Sequence, residues 1–221
     1  MVVLFVIATI LLFLSVDFLI QRRKKVGLAA EPVVEKLTLS KMFHLMPAGV
    51  FLQPTFTWSK ILNSGNLLVG LHPVLLGLVG EPDEIEMLPD NTPVKKGDTL
   101  FSIRSKGRLL PVKSPVDGII TDVNQNIAAK EATWQDLSEV WFYTIHPEKV
   151  SAEVGAWMIA EKSREWLDEK FQQMKSFFME TVPATQTAGV TMADGGDMPV
   201  GVLSQFDEKT WRRFEETFIS N

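Results

Sequence analysis

The feature that most constrains this chain is an apolar run from Met1 to Ile20 followed at once by Arg22-Arg23-Lys24-Lys25. At about 1.5 Å per helical residue such a run covers roughly 30 Å, the thickness of a bilayer's hydrocarbon core. The order of charge is the reverse of a secretory signal, which carries its basic residues before the apolar stretch. Leu28-Ala29-Ala30 imitates a cleavage site, but no basic segment precedes it. The sequence therefore predicts a transmembrane helix with a basic cytoplasmic flank over residues 1–25, N-terminus out, in the inner (cytoplasmic) membrane, with the rest of the chain cytoplasmic. Asp17 lies within the run. It can pair with Arg22 at the headgroup level or make a polar contact with a neighbouring membrane helix.

Beyond residue 25 the chain has 18 basic and 26 acidic residues, a balance that argues against nucleic acid as a partner and against broad adhesion to anionic lipid. Absence of cysteine excludes disulfides, thiolate catalysis and thiolate metal sites. His44, His72 and His146 are far apart and have no ligand spacing, so no metal site is expected.

Residues 26–47 mix Ala, Pro, Glu and Lys without a sustained period and read as a linker holding at most one short helix. From 48 to 150, short Val-, Ile-, Leu- and Phe-rich runs alternate with turn signals such as Asn63-Ser-Gly65, Lys96-Gly-Asp98, Lys106-Gly107 and Ser114-Pro-Val-Asp-Gly118. Thr99 to Arg104, Arg108 to Val112 and Gly118 to Val123 have strand length and composition, which predicts an all-β unit. Residues 151–182 change to a helical period through Val154, Trp157, Met158, Trp166, Phe171, Met174 and Phe178. A loop with an Asp194-Gly195-Gly196 turn and a last helix follow over 183–221. Asp207 is the expected N-cap of that helix, and Phe206 is placed to staple onto Trp211. The fold class is thus α+β: a transmembrane helix, a β domain and C-terminal amphipathic helices.

Several segments of the β unit carry a resemblance. They are Thr55-Phe-Thr-Trp58, Val69-Gly70-Leu71, Ile85-Glu-Met-Leu-Pro89, Val94-Lys-Lys-Gly-Asp98, Ser114-Pro-Val-Asp-Gly118 and Trp141-Phe-Tyr-Thr-Ile-His-Pro147. In order and spacing this unit resembles the H-protein of the glycine cleavage system, which implies a lipoyl-domain-like β sandwich (a barrel-sandwich hybrid). In that family one lysine at a hairpin tip carries a lipoyl arm. Counted back from Ser114-Pro115 that position falls on Gly107, with Lys106 one residue away and Arg104-Ser105 where an acidic residue usually precedes the lysine. A one-residue slip within a strand turns a side chain to the other face. The resemblance therefore implies either lipoate on Lys106 or, as the residues favour, a tip without an arm and no cofactor.

The same hairpin holds six basic residues, Lys95, Lys96, Arg104, Lys106, Arg108 and Lys113, against the single acid Asp98, whereas 81–90 holds five carboxylates. Segregated charge steers docking; the alternative is a set of solvated strand-edge cations. With no phosphate cradle, nucleophile elbow or metal motif, no enzyme is indicated. The expectation is a non-catalytic accessory subunit of a larger integral-membrane assembly, such as a respiratory or photosynthetic electron-transfer complex. Its partners would be integral-membrane subunits and, through residues 1–25, lipid. The other reading is a tethered lipoyl carrier modified at Lys106.

Overall fold

The structure, a computed structural model, describes residues 38–128, 140–181 and 197–220. The apolar run with Asp17, Arg22, Arg23, Lys24 and Lys25, and the Asp194-Gly195-Gly196 turn, lie outside the described residues. Among those described, no helix is long and apolar enough to cross a membrane.

Two antiparallel sheets form the centre. One has the order β1-β2-β3-β9-β8-β5, built from Phe51–Leu52, Thr57–Ile61, Leu67–Leu71, Trp141–Pro147, Gly118–Val123 and Pro93–Val94. The other is β4-β6-β7, built from Glu84–Met87, Thr99–Ser105 and Arg108–Lys113. The strands expected at 99–104, 108–112 and 118–123 are therefore present, the first two each one residue longer. β-Branched and aromatic residues turn inward along β6 and β9, where Phe101 stacks on Phe142 with ring centres 4.5 Å apart. Tyr143, the chain's one tyrosine, ties the sheets together. Its hydroxyl donates to the Leu100 carbonyl at 3.0 Å and accepts from the Leu88 N–H at 2.9 Å, reaching from β9 into the backbone flanking β4 and β6. Burial pushes the phenol above its ordinary pKa, so it remains a neutral donor. A close approach shapes β3 as well: a Cβ on Gly70 would run into the Trp58 indole, whose N–H donates to the Leu71 carbonyl at 3.2 Å.

Two segments that lack a clean period in the sequence are buried in the fold. The one short helix allowed for in the linker is present as α1 (Leu39–His44), but its Leu39, Met42 and Phe43 are buried, so the chain from Thr38 onward belongs to the fold. α2 (Pro73–Val79) sits inside the expected β unit. Every one of its residues is buried, which erases the amphipathic stripe that reveals a surface helix. Its ends are nonetheless written locally: Pro73 at the first position, His72 as N-cap and Gly80, at φ +82°, as C-cap. The two helices cross so closely that a Cβ on Gly77 would strike Met42.

The single helix expected over 151–182 is broken. After α3 (Gln125–Ala128), a short α4 (Val150–Glu153) passes into a 3-10 turn, and the chain extends at Trp157 and Met158 before α5 (Ala160–Thr181) begins. Met158 bridges to Leu52 through reciprocal backbone hydrogen bonds of 2.8 and 2.9 Å, adding a rung beside β1 that a helix could not supply. The last helix, α6 (Glu208–Phe218), is capped by Asp207 as expected: its carboxylate accepts from the Thr210 N–H at 2.9 Å, which holds the carboxyl below its ordinary pKa. Phe206 does not staple onto Trp211; it stacks on Phe178, 5.3 Å away, and joins α6 to α5.

His72 is fully buried. Its Nδ1 accepts from the Val74 N–H at 3.3 Å, which leaves the proton on Nε2, where no partner is present. Burial, and secondarily His44, push its pKa down to about 3 from 6.5. Between those values the unfolded chain takes up a proton that the folded chain refuses, so this contribution is complete above pH 6.5 and shrinks as the pH falls toward 3. In denaturant melts between pH 4 and about 5.5, His72→Asn, which keeps an acceptor for Val74 but cannot titrate, is expected to flatten the acid limb by about 1.4 kcal/mol per pH unit. Parallel profiles for the two proteins would contradict this.

Candidate functional site

The β6–β7 hairpin is the part of the fold on which function turns. Ser105 pairs with Arg108, leaving Lys106 and Gly107 as a two-residue turn with φ of +49° and +78°. Positive φ at both corners defines the type I′ family that matches strand twist. Glycine adopts it freely, whereas a lysine there incurs a steric cost. Asp83 offsets part of that cost by accepting from the Lys106 N–H at 2.6 Å. The Lys106 side chain is exposed, and its ammonium has no partner among the described residues.

This geometry revises the face argument drawn from the sequence. Lys106 and Gly107 are both turn residues, so the offset between them does not carry a side chain across a strand. Lys106 stands at one corner of the apex. The position given by counting from Ser114-Pro115 is the other corner, a glycine, with open space where a Cβ would be.

The structure also rearranges the charge. β4 pairs with β6 in the register Glu84 to Arg104, so the acidic segment lies directly beside the basic one. Arg104 bridges Glu84 and Glu86, Lys96 pairs with Glu153 at 2.5 Å, and Arg108 approaches Glu208 at 4.0 Å. The segregation seen along the chain is therefore not a segregation in space, and exposed pairs of this kind contribute about 0–1 kcal/mol each. Among the described residues only the ammonium groups of Lys95, Lys106 and Lys113, of the six cations, meet no carboxylate. No group of His, Asp and Glu among the described residues is arranged to hold a metal ion.

A second set of residues, which sequence reasoning missed, holds the hairpin from the side. The segment 197–206 and α6 close over it. Ser204 shares a hydroxyl hydrogen bond of 2.9 Å with Ser105 and donates to the Val79 carbonyl. Trp211 donates from its indole to the Leu109 carbonyl at 3.0 Å, and the Arg108 guanidinium lies 5.6 Å from the centre of that ring. Further back, Asp197 accepts from Ser40 N–H at 3.0 Å at the start of α1, and Gly201 donates to the Gly77 carbonyl at 2.7 Å. On the C-terminal side only Asp197, Gly201, Ser204 and Trp211 mark this clamp in the sequence, at separations near one hundred residues for its hairpin contacts, so no local pattern announces it.

Two facing antiparallel sheets with a lysine-bearing hairpin define a carrier-type β fold. The family model described as "Glycine cleavage H-protein" matches residues 51–170, and the chain belongs to that family. The probable glycine cleavage system H protein of Pyrococcus horikoshii is 28% identical over 120 residues, 54% of this chain and 90% of that one. The glycine cleavage system H protein of Chlorobium chlorochromatii is 27% identical over 114 residues, 51% of this chain and 89% of that one. The crystal structure of the glycine cleavage system H protein from Mycobacterium marinum aligns with a TM-score of 0.46 at 18% identity, covering 55% of this chain and 98% of that one. The family match runs on into α5 and ends before the clamp.

Trp211→Phe keeps the aromatic contact with the hairpin but removes the hydrogen bond to Leu109. It is expected to cost about 1–2 kcal/mol and to speed amide hydrogen exchange across residues 105–110 relative to β9. Unchanged exchange in the hairpin would show that the clamp does not hold it.

Proposed function

We propose that this chain is a membrane-tethered, non-catalytic docking subunit that keeps the H-protein scaffold without its swinging arm, and that it serves within a larger integral-membrane assembly. The observation that carries this reading is the hairpin apex. A glycine occupies the position expected for the arm-bearing lysine, and a C-terminal segment lying beyond the family match holds the same hairpin by its flank. An arm-bearing tip works by reaching several partners in turn; a clamped tip works by presenting one fixed shape. The apolar run at residues 1–20 with its basic flank supplies the tether, and Asp17 a polar contact for a neighbouring helix. A respiratory or photosynthetic electron-transfer complex is the host class in keeping with a single span and a cytoplasmic module.

One observation favours a second reading, a lipoyl carrier modified at Lys106. This lysine is exposed at the apex in a left-handed conformation that costs energy to hold, and such outliers cluster where function requires them.

Extraction of native membranes in mild detergents, followed by native electrophoresis and mass spectrometry, separates the readings. The docking subunit is expected to migrate with integral-membrane proteins and to do so equally well as Lys106→Ala. Migration as a free monomer in every mild detergent would contradict it, and loss of biological function in Lys106→Ala with assembly intact would favour the carrier.

A further inference from the structure

His44, the last residue of α1, has both ring nitrogens against oxygens that only accept. Its Nδ1 lies 2.8 Å from the Ser40 carbonyl, one turn back on the same helix, and its Nε2 lies 3.1 Å from the Asp168 carboxylate on α5. A neutral imidazole carries one N–H and serves one of these oxygens; only the imidazolium, with two, donates to both. Each partner favours that form. A cation at a helix C-terminus meets the negative end of the backbone dipole, and a cation beside a carboxylate makes a charge-assisted hydrogen bond.

The other charged groups near the ring come from every element packed on α1. Lys41 precedes it by one turn on α1 itself. On α5, Arg164 lines the same cleft as His44, Glu165 is exposed, and Glu169 and Lys170 are bonded to Gln173. His72, at the N-cap of α2, is held neutral by burial, and Asp197 of the C-terminal segment is engaged with the Ser40 N–H at 3.0 Å. Asp168 is the carboxylate that meets the ring. Phe43 packs edge-on against Phe171, with ring centres 4.9 Å apart, and joins α1 to α5 whatever the charge on His44. What the histidine adds is the fastening of the last turn.

We infer that His44 is a proton-operated latch between α1 and α5. Protonated, it fastens the last turn of α1 to Asp168 and to the Ser40 carbonyl; neutral, it gives up one of the two oxygens, and the turn opens more readily. Histidine is the side chain whose charge ordinarily changes between about pH 5 and 8, so the latch works in the range that cells and their compartments span. The C-terminal clamp takes hold of the same helix at its other end, through Asp197 and Ser40. The latch therefore sets the firmness of an element that the clamp uses, and it stands whether or not the chain is a docking subunit.

Amide hydrogen exchange of the full-length chain in mild detergent, read on peptides within residues 39–46 and corrected for the intrinsic pH dependence of exchange, tests this. Protection is expected to be about twofold or more greater at pH 5.5 than at pH 8, a modest change in keeping with an exposed pair. His44→Gln, which cannot titrate, is expected to remove the difference, and Asp168→Ala to reduce it by about half or more. Exchange in β9 checks that each variant is folded. His72 does not mimic the effect, since its protonation weakens the fold as the pH falls and so has the opposite sign. Equal protection at the two pH values, greater protection at pH 8, or a difference that survives undiminished in either folded variant would overturn the inference.

Discussion

The docking of the C-terminal segment onto the β6–β7 hairpin is the contact on which the functional reading depends. A two-stranded hairpin standing alone is marginal in water, and here β4 covers only one of its edges. The Trp211 indole, the Ser204 hydroxyl and the Arg108 guanidinium together turn it into a fixed surface. The same segment reaches α1 through Asp197 and α2 through Gly201. One stretch of chain therefore fixes the hairpin to the helical side of the fold. Behind it, α5 and α6 meet through Phe177, Phe178, Phe214 and Phe218, whose rings lie 5.0–5.9 Å apart in tilted, edge and stacked contacts.

That anchoring changes what the fold can do. The sheets belong to an H-protein family domain, and Tyr143 on β9 makes their packing specific by satisfying backbone groups at Leu88 and Leu100 of the facing sheet. Such a scaffold remains useful without an arm, because its rigidity and its apex are surfaces in their own right. Fold alone does not confer the family's chemistry, and the residue at the apex decides. Here the apex is a lysine and a glycine sharing one turn. The glycine is the residue that the turn's geometry prefers, and the lysine is the one that it tolerates.

Strands were legible where turn residues bracketed β-branched runs, as at Thr99, Arg108 and Gly118, because turn chemistry and pleat are both local. Asp207 was legible for the same reason. α2 was not, since full burial removes the contrast between its faces, although His72, Pro73 and Gly80 mark its ends. The break at Trp157 and Met158 was hidden because these residues fit a helical stripe and a strand-like rung equally well, and only Leu52, more than one hundred positions earlier, decides between them. Charge was the most misleading signal: the acidic 81–90 segment and the basic hairpin are separate in sequence but adjacent once β4 pairs with β6. At the candidate site, the turn itself was readable from Lys106-Gly107. The clamp was not, because it exists only through contacts made across the whole chain.

The central claim is that this hairpin bears no arm. Its most direct test is the intact mass of the chain purified from its native membrane, with peptide mapping across residues 105–108. The account predicts an unmodified polypeptide and an unacylated Lys106. A lipoyl amide at the Lys106 Nζ would contradict it.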